Sequence, residues 1–243
     1  MRHLEISHGA GRAEVVRVPS GWSVEMAATI DVDTATDLLT SALDAVASQG
    51  GGLLRHWVRA GDPVARRASD ALGLVREREV HQLRRLLPVD QPWDVTVRPF
   101  VVGQDEQAWL AVNNRAFDWH PEQGGWTLDD VRARLDEPWF DPAGFLLHEE
   151  HGRLVGFCWT KPHLHTDPPM GEIFVIGVDP SAAGRGLGRS LTLAGLDHLW
   201  HAGLGVAMLY VDGTNAPALH LYDALGFTVH HTDTSYTTSV GAR

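Results

Sequence analysis

The residues best suited to chemistry lie in one stretch, residues 171–189, which reads GEIFVIGVDPSAAGRGLGR. Glu172 is the acid in an apolar, β-branched run that is typical of a buried strand. A carboxylate that faces a cleft from such a strand can act through a water molecule as a general base. A salt bridge at the strand end is the alternative for Glu172.

Glycines follow this strand at alternate positions, at Gly184, Gly186 and Gly188, and open a helix with one apolar face. Glycine lets successive backbone N–H groups turn toward one anion without an obstructing Cβ atom. The N-terminus of the helix adds a partial positive charge. The loop is therefore predicted to bind a pyrophosphate.

A dinucleotide-binding fold has a similar glycine pattern, but in its first βαβ unit and with an acid about 20 residues downstream. Here the loop comes late in the chain, and the next strand is followed by the tetrapeptide DGTN. This order disfavours a dinucleotide as the ligand.

Composition limits the other possible functions. The chain has 243 residues, 44% of them hydrophobic, which suits one large domain or two modest ones. A formal net charge of −11 argues against a nucleic-acid partner, because phosphate recognition needs a basic surface. Neither a membrane-spanning run nor a signal-peptide core is apparent, so we expect no membrane partner and a cytoplasmic location.

Cysteine, histidine and lysine usage gives further limits. The single cysteine, Cys158, excludes an intrachain disulfide and a thiolate zinc cluster. His163 and His165 are two residues apart but have no placed third ligand, so no metal site is predicted. Lys161 is the only lysine, a bias typical of a GC-rich genome and compatible with an actinobacterial source.

Periodicity and turn signals predict a mixed α/β fold in two halves. In the first half we expect a hairpin over residues 2–18, a strand at 23–30, a helix at 34–47 capped by Asp33, a strand at 53–58, a helix at 63–72, a strand or strand pair at 77–86, and a linker at 88–93. In the second half we expect helices at 107–116 and 128–134 with Thr127 as cap, strands at 145–148, 155–161 and 172–178, a strand from 206, and a helix at 216–225.

The two halves repeat one another. Shifting the sequence by 153 residues aligns residues 34–74 with 187–227 without a gap. In this register Asp31 and Asp33 replace Gly184 and Gly186, and like charges there would repel an anion. We therefore predict a shortened, non-catalytic domain over residues 1–90 and a catalytic domain over 91–243. A mere packing partner or a dimer surface is the alternative for the first domain.

The order of strand, VDP, glycine loop, helix, strand, NxxA, helix and LGF resembles the acyl-CoA-binding half of the GNAT N-acetyltransferases, over about residues 96–240. More specifically, the chain is similar to the mycothiol synthase family, which consists of tandem GNAT enzymes. The shared motifs are NNxAF (113–117), HPEQGGW (120–126), WFDP (139–142), GFxWTK (156–161), GE (171–172), GVDP (177–180), RGLG (185–188), YV (210–211) and LGF (225–227). The family has glutamine at the head of the loop, where this chain has Ala183, so one side-chain contact is lost.

The resemblance implies acetyl-CoA as co-substrate, bound in the cleft where the central strand and the strand from Val206 splay apart. Its pantetheine would pair with Ile176, Gly177 and Val178. Its pyrophosphate would bind Ala183, Gly184, Arg185, Gly186, Leu187, Gly188 and Arg189. The implied cofactor contacts further along the chain are Asn215, Ala216, Pro217, Ala218, Leu219 and His220.

The resemblance also implies catalytic roles and an acceptor. Glu172 would be the base and Tyr222 the acid for the departing thiolate. Contacts to a cysteine–glucosamine–inositol conjugate, whose cysteinyl amine accepts the acetyl group, are assigned to Glu122, Lys161, Glu172 and Tyr210. These types suit a polar amine, because carboxylates accept from ammonium and hydroxyl groups and tyrosine offers an apolar face and a hydroxyl.

Alternatives remain for these residues and for the function. Tyr222 could be an aromatic core residue, Lys161 a solvated lysine at a strand end, and Glu122 a loop acid. The chain could act on another small amine, or bind acetyl-CoA as a sensor without turnover, or be an interaction protein. A monomer is expected.

Overall fold

The computed structural model describes residues 3–9, 11–27, 31–120 and 123–243, and these residues form eleven β-strands and six α-helices. In the N-terminal part these are β1 (His3–His8), β2 (Gly11–Val18), β3 (Gly21–Met26), α1 (Val32–Ser48), β4 (Gly52–Val58), α2 (Pro63–Ala71) and β5 (Val75–Leu86). They are followed by β6 (Arg98–Pro99), α3 (Glu106–Ala116), α4 (Leu128–Leu135), β7 (Phe145–Glu150), β8 (Arg153–His163), β9 (Met170–Val178), α5 (Leu187–His201), β10 (Val206–Asp212), α6 (Ala216–Ala224) and β11 (Thr228–Val240).

The chain folds into two units. The first consists of Met1–Gln82, Val211–His220 and Val229–Arg243, and the second of Leu83–Tyr210 and Leu221–Thr228. Neither unit is a single continuous segment, because the boundaries fall within β5, β10, α6 and β11. The division into copies at 1–90 and 91–243 stays a prediction.

In the first unit the strands follow the order β1-β2-β3-β4-β11-β5. The hairpin of β1 and β2 is antiparallel, as predicted, and β3 runs parallel to β4. Helix α1 covers one face of this sheet, and Leu38, Leu39 and Val46 of the helix pack with Trp22 and Leu54 of the strands in a closed apolar core. Burial of such side chains is the main stabilising contribution to a unit of this size.

The start of α1 corrects one prediction. Asp31, not Asp33, is the N-cap: its side chain accepts a hydrogen bond from the Thr34 backbone N–H at 2.7 Å. Asp33 lies in the first turn instead. Either acid favours a helix N-terminus, and only the observed backbone geometry decides which residue is outside the helix. The predicted strand at 23–30 ends at Met26, and residues 28–30 lie outside the described part of the chain.

In the second unit the strands follow the order β10-β9-β8-β7-β6. Strand β9 is parallel to β10 and antiparallel to β8. Helix α5 packs on one face, where Gly195 lies so close to Cys158 and Ile173 that an added Cβ atom would collide with both side chains. On the other face, Trp109 of α3 contacts the rings of Phe157 and Trp159.

The internal repeat is matched by the elements themselves. With the shift of 153 residues, α2 (Pro63–Ala71) falls on α6 (Ala216–Ala224), and the last residue of α1, Ser48, falls on the last residue of α5, His201. Each copy therefore contains the same strand–helix–strand–helix order, β3-α1-β4-α2 and β9-α5-β10-α6. The fold prediction of tandem mixed α/β copies, with a shortened first copy, is confirmed.

The two copies differ in how far their parallel strands stay paired. In the first, the β3–β4 ladder runs from Trp22–Leu54 to Glu25–Trp57 and so reaches the penultimate residue of β3. In the second, the β9–β10 ladder contains three pairs and ends at Glu172–Met208, although β9 continues to Val178. The parallel strands therefore separate early in the second copy.

The described residues include no helix that is long and apolar enough to cross a membrane.

A buried histidine in the first unit gives a testable pH dependence. His56 of β4 is fully buried, its Nδ1 lies 2.8 Å from the Ser69 hydroxyl, and its Nε2 has no hydrogen-bond partner in the structure. Burial lowers the pKa of His56 from 6.5 to about 4, which the charge of Asp62 opposes only weakly. The folded protein thus binds fewer protons than the unfolded chain between these two values.

Because the folded-state pKa is the lower one, stability from His56 is complete above pH 6.5 and is lost as the pH falls toward 4. In the wild type, His56 should lower the free energy of unfolding by about 3 kcal/mol as the pH falls from 6.5 to 4. His56→Leu should abolish this part of the decrease. Urea unfolding at a series of pH values measures it. His165→Leu, at an exposed position, is the matched control and should keep the wild-type slope; equal slopes for wild type and His56→Leu would contradict the assignment.

Candidate active site

The turn after β9 is fixed by a buried carboxylate. Asp179 accepts hydrogen bonds from the Ser181 backbone N–H at 3.0 Å and from Arg115 Nε of α3 at 2.9 Å. Burial alone would raise the pKa of Asp179, but the hydrogen bonds from Ser181 and Arg115 outweigh it and hold the pKa below its usual range. Asp179 therefore stays ionised and sets the direction in which the glycine loop leaves the sheet.

The glycine loop has the backbone conformation that its sequence predicts. Gly184 and Gly186 have φ values of +75° and +80°, and Gly186 is the residue before the first turn of α5. A Cβ atom added at either glycine would meet no protein atom within 4 Å. The space in front of the loop is therefore open, and the first N–H groups of α5 are not blocked by side chains on these glycines.

The cationic side chains of the loop have partners in the protein. Arg185 forms two hydrogen bonds with the carboxylate of Glu150 at 2.9 and 2.7 Å, and Arg189 Nη2 donates to Gln91 at 2.7 Å. The Ser190 hydroxyl donates to Asp94 at 3.0 Å. Gln91 of the predicted linker and Asp94, which follows it, thus hold the first turn of α5. Glu150 competes with any anion for Arg185.

Next to the loop, β9 leaves backbone groups unpaired on its β10 side. The β9–β10 ladder ends at Glu172, so residues 173–178 lie beyond it. Ile176 and Val178 are half-buried in this segment, and Gly177 between them packs on Phe157. An extended ligand can pair with such a free strand segment through backbone hydrogen bonds.

A β-bulge decides which side of the sheet Glu172 faces. Trp159 lies opposite Val175 and Thr160 opposite Ile173, so Phe174 is an extra residue in β9. Side chains of a regular strand alternate between faces, and the extra residue reverses this alternation. Glu172 is therefore on the same side as Val175, directly opposite Lys161 of β8, and faces away from α5.

Lys161 is held by aromatic rings. Its ammonium lies 4.6 Å from the ring centre of Trp139 and 5.3 Å from that of Phe174. Both rings also contact Trp159. Cation–π contacts of this kind orient an ammonium while leaving its N–H groups able to donate elsewhere.

Two tyrosines predicted to act in the site differ in exposure. Tyr222 of α6 is 7% exposed and its ring packs edge-on against Phe227. Burial, with a smaller contribution from Cys158, raises the pKa of Tyr222, so its hydroxyl keeps its proton at neutral pH. Tyr210 is 45% exposed. Met208 of β10 pairs with Glu172, and Tyr210 follows Met208 by two residues. The side chain of Tyr210 therefore points to the same side of the sheet as that of Glu172.

Two asparagines of α3 hold the loop that follows it. Asn114 donates from Nδ2 to the Trp126 carbonyl at 2.8 Å and accepts at Oδ1 from the Trp126 N–H at 3.1 Å. Asn113, which is fully buried, donates to the Gln123 carbonyl at 3.0 Å. His120 accepts from the Gln123 N–H at 3.0 Å. Glu122, the predicted substrate contact of this loop, lies outside the described residues.

Asn215 caps α6, as its sequence position predicts. Its Oδ1 accepts a hydrogen bond from the Ala218 backbone N–H at 3.2 Å. The other predicted cofactor contacts of this segment form the first turns of α6, namely Ala216, Pro217, Ala218, Leu219 and His220, and they belong to the first unit.

Sequence reasoning missed His163. Its Nε2 lies 2.7 Å from Glu172 Oε2, so it contacts the predicted base. The predicted strand ended at 161, whereas β8 extends to His163, and residues two apart on a strand share one face. Among residues 3–9, 11–27, 31–120 and 123–243, no group of three or more possible metal ligands occurs.

Known proteins match this chain in sequence and in fold. The model of the acetyltransferase (GNAT) family matches residues 111–227. A mycothiol acetyltransferase of Thermobispora bispora is 50% identical over 202 residues, which cover 80% of this chain and 68% of the relative. This chain belongs to the GNAT acetyltransferase family. A mycothiol acetyltransferase of Thermomonospora curvata is 52% identical and covers 80% of this chain and 66% of the relative.

This GNAT chain spans about two thirds of the length of the curated relatives that it matches, from 62% to 68% in the first four. Solved structures agree in fold. A GCN5-related N-acetyltransferase from Sphaerobacter thermophilus has a TM-score of 0.78 at 23% identity, covering 96% of this chain and 77% of the other. A tandem GNAT protein from the clavulanic acid biosynthesis pathway has a TM-score of 0.67 at 14% identity, covering 96% and 80%.

The asparagine contacts predict how the loop can be loosened. Asn114→Ala removes both hydrogen bonds to Trp126 and should lower the unfolding free energy by about 1–3 kcal/mol. Hydrogen exchange should speed up at the Trp126 amide while the amides of β9 stay protected. Asn114→Asp keeps the acceptor and loses the donor, so it should fall between Asn114→Ala and wild type; unchanged exchange in Asn114→Ala would contradict the role of Asn114.

Proposed function

We propose that this chain transfers the acetyl group of acetyl-CoA to the cysteinyl amine of a cysteine–glucosamine–inositol conjugate, the acceptor that completes mycothiol. The support is twofold. Relatives named mycothiol acetyltransferase are about half identical to it over 80% of its length. Strand β9 also carries the acid Glu172 and an unpaired backbone segment, and an open glycine loop follows it in the chain.

Acetyl-CoA fits the residues present. Its pyrophosphate would be held by the loop from Ala183 to Arg189, whose glycines leave open space and whose helix N-terminus favours an anion. Its pantetheine would pair with Ile176 and Val178 on the unpaired segment of β9. The resemblance to the family adds Asn215 and the residues through His220.

The chemistry needs a base, an acid and an electrophile, and acetyl-CoA supplies the electrophilic thioester carbon when bound. Glu172 accepts a proton from the acceptor amine, through a water molecule, as the C–N bond forms. Tyr222 donates its hydroxyl proton to the sulfur as the C–S bond breaks. Both groups then return to their starting states by proton exchange with solvent. The raised pKa of Tyr222 keeps its hydroxyl protonated, and so able to donate, until the sulfur departs.

Recognition of the acceptor is assigned to residues around Glu172. Lys161 lies opposite Glu172 and would donate to sugar or inositol hydroxyls, while its stem stays fixed by Trp139 and Phe174. Tyr210 offers an exposed ring and hydroxyl on the same side. Glu122 is proposed from the resemblance alone. The expected monomer stays a prediction.

The first experiment is CoA release by the purified protein with acetyl-CoA and the conjugate, beside a panel of other small amines, with the product mass determined. Turnover confined to the conjugate supports the proposal. Turnover with another amine would retain a GNAT enzyme of different specificity. Acetyl-CoA binding without any turnover would favour a sensor.

Replacing the base separates catalysis from cofactor binding. Glu172→Gln removes proton transfer and leaves the glycine loop intact, so turnover should fall by about 100-fold or more. The affinity for acetyl-CoA, measured by calorimetry, should stay within about twofold of wild type, since the loop contacts are untouched. Equal losses of rate and affinity would argue against the base role.

Replacing the partner of Arg185 tests the loop. Glu150→Gln removes the carboxylate that pairs with Arg185. The hydrogen bond from Arg185 lowers the pKa of the Glu150 carboxyl group, so this group is ionised in the wild type. The freed guanidinium should strengthen acetyl-CoA binding by about two- to fivefold, because a competing charge is lost. Glu149→Gln is the matched control: its carboxylate bonds to Arg98, so the same charge change should leave the affinity unchanged. Equal effects of both variants would contradict a specific role for Arg185.

A further inference from the structure

The proposed base has a partner that the proposed function does not use. His163 Nε2 and Glu172 Oε2 are 2.7 Å apart, and the two side chains are 26% and 9% exposed. A carboxylate that is nine-tenths buried needs hydrogen-bond donors, because the loss of hydration is otherwise uncompensated. The imidazole of His163 supplies such a donor when its Nε2 carries the proton.

The register of the sheet explains why His163 reaches Glu172. Lys161 lies opposite Glu172, and His163 lies opposite Met170. His163 is therefore diagonal to Glu172, on the same face of the sheet. Its backbone carbonyl accepts a hydrogen bond from the Thr166 hydroxyl at 2.8 Å, which fixes the chain just after β8.

The other nearby groups do not take this role. Lys161 directs its ammonium to the rings of Trp139 and Phe174. Strand β10 places the apolar Met208 opposite Glu172, followed on the same side by Tyr210. In the described part of the chain, His163 is the one residue with a hydrogen bond to the Glu172 carboxylate. This bond engages Oε2. The other oxygen, Oε1, is left for the reaction.

We infer that His163 is the positioning residue of the acetyl-transfer reaction: its Nε2–H holds Glu172 Oε2 and presents Oε1 to the water or amine that loses its proton. This inference rests on the proposed function. His163 does not contact the reacting atoms, and its effect passes through Glu172. When Glu172 accepts the proton at Oε1, the hydrogen bond at Oε2 persists, so the carboxyl group need not rotate during the step.

The test is a double-mutant cycle on turnover. His163→Phe should lower kcat by about 10- to 100-fold with the KM values for acetyl-CoA and acceptor little changed, because misplacement of a catalytic group affects the reaction more than binding. His163→Gln, which retains an N–H donor, should recover most of the rate. In a Glu172→Gln background, His163→Phe should cause no further loss, since its only route of action is gone.

His165→Phe is the matched control, because this histidine is exposed two residues further on and should leave kcat unchanged. A loss of rate for His163→Phe that persists undiminished in the Glu172→Gln background would overturn the inference in favour of a general structural role. Wild-type rates in His163→Phe would also overturn it while leaving the proposed function intact. A wild-type enzyme without turnover on any amine would instead remove the proposed function, and this inference with it.

Discussion

The single extra residue Phe174 determines the chemistry that β9 can support. Without this bulge, the alternation of side chains would turn Glu172 toward α5, into the apolar face that contains Cys158. A carboxylate there would lose its hydration without gaining the donor at His163. The bulge instead puts Glu172, Lys161 and His163 on one face, and Phe174 itself packs on the Lys161 ammonium. β-Bulges often re-aim side chains in this way next to functional sites.

The two copies of the repeat differ in how far their parallel strands stay paired. Both have the same strand–helix–strand–helix order, but the parallel ladder of the first copy extends to Glu25, whereas that of the second stops at Glu172. In the first copy Asp31 fills the place of Gly184 and caps α1 with its own side chain. The helix N-terminus is thereby satisfied internally, and a carboxylate replaces the anion that the second copy is proposed to bind.

Two ion pairs next to the glycine loop differ in exposure: the carboxylate of the Arg115–Asp179 pair is buried, whereas the Arg185–Glu150 pair is more exposed. Asp179 is buried, ionised and held by Arg115, so the turn that starts the loop is rigid. Arg185 is more exposed and pairs with Glu150, a contact that solvent screens. A buried ion pair at the turn beside an exposed, replaceable cation suits the proposed binding and release of an anionic co-substrate.

The sequence by itself determined the order of elements, the internal repeat, the glycine loop and the cap at Asn215, because these depend on local backbone preferences and on periodicity. It also placed the family, through motifs such as HPEQGGW. It did not determine the cap of α1, since Asp31 and Asp33 suit a helix start equally well.

Only the tertiary structure decided which face Glu172 occupies, because an extra residue in a strand leaves no local signature when its side chain is apolar. It also decided that His163 is the partner of Glu172 and that Asn113 and Asn114 hold the loop at Trp126. These contacts depend on the register between strands and on the path of a loop, which arise from long-range packing and not from the preferences of neighbouring residues.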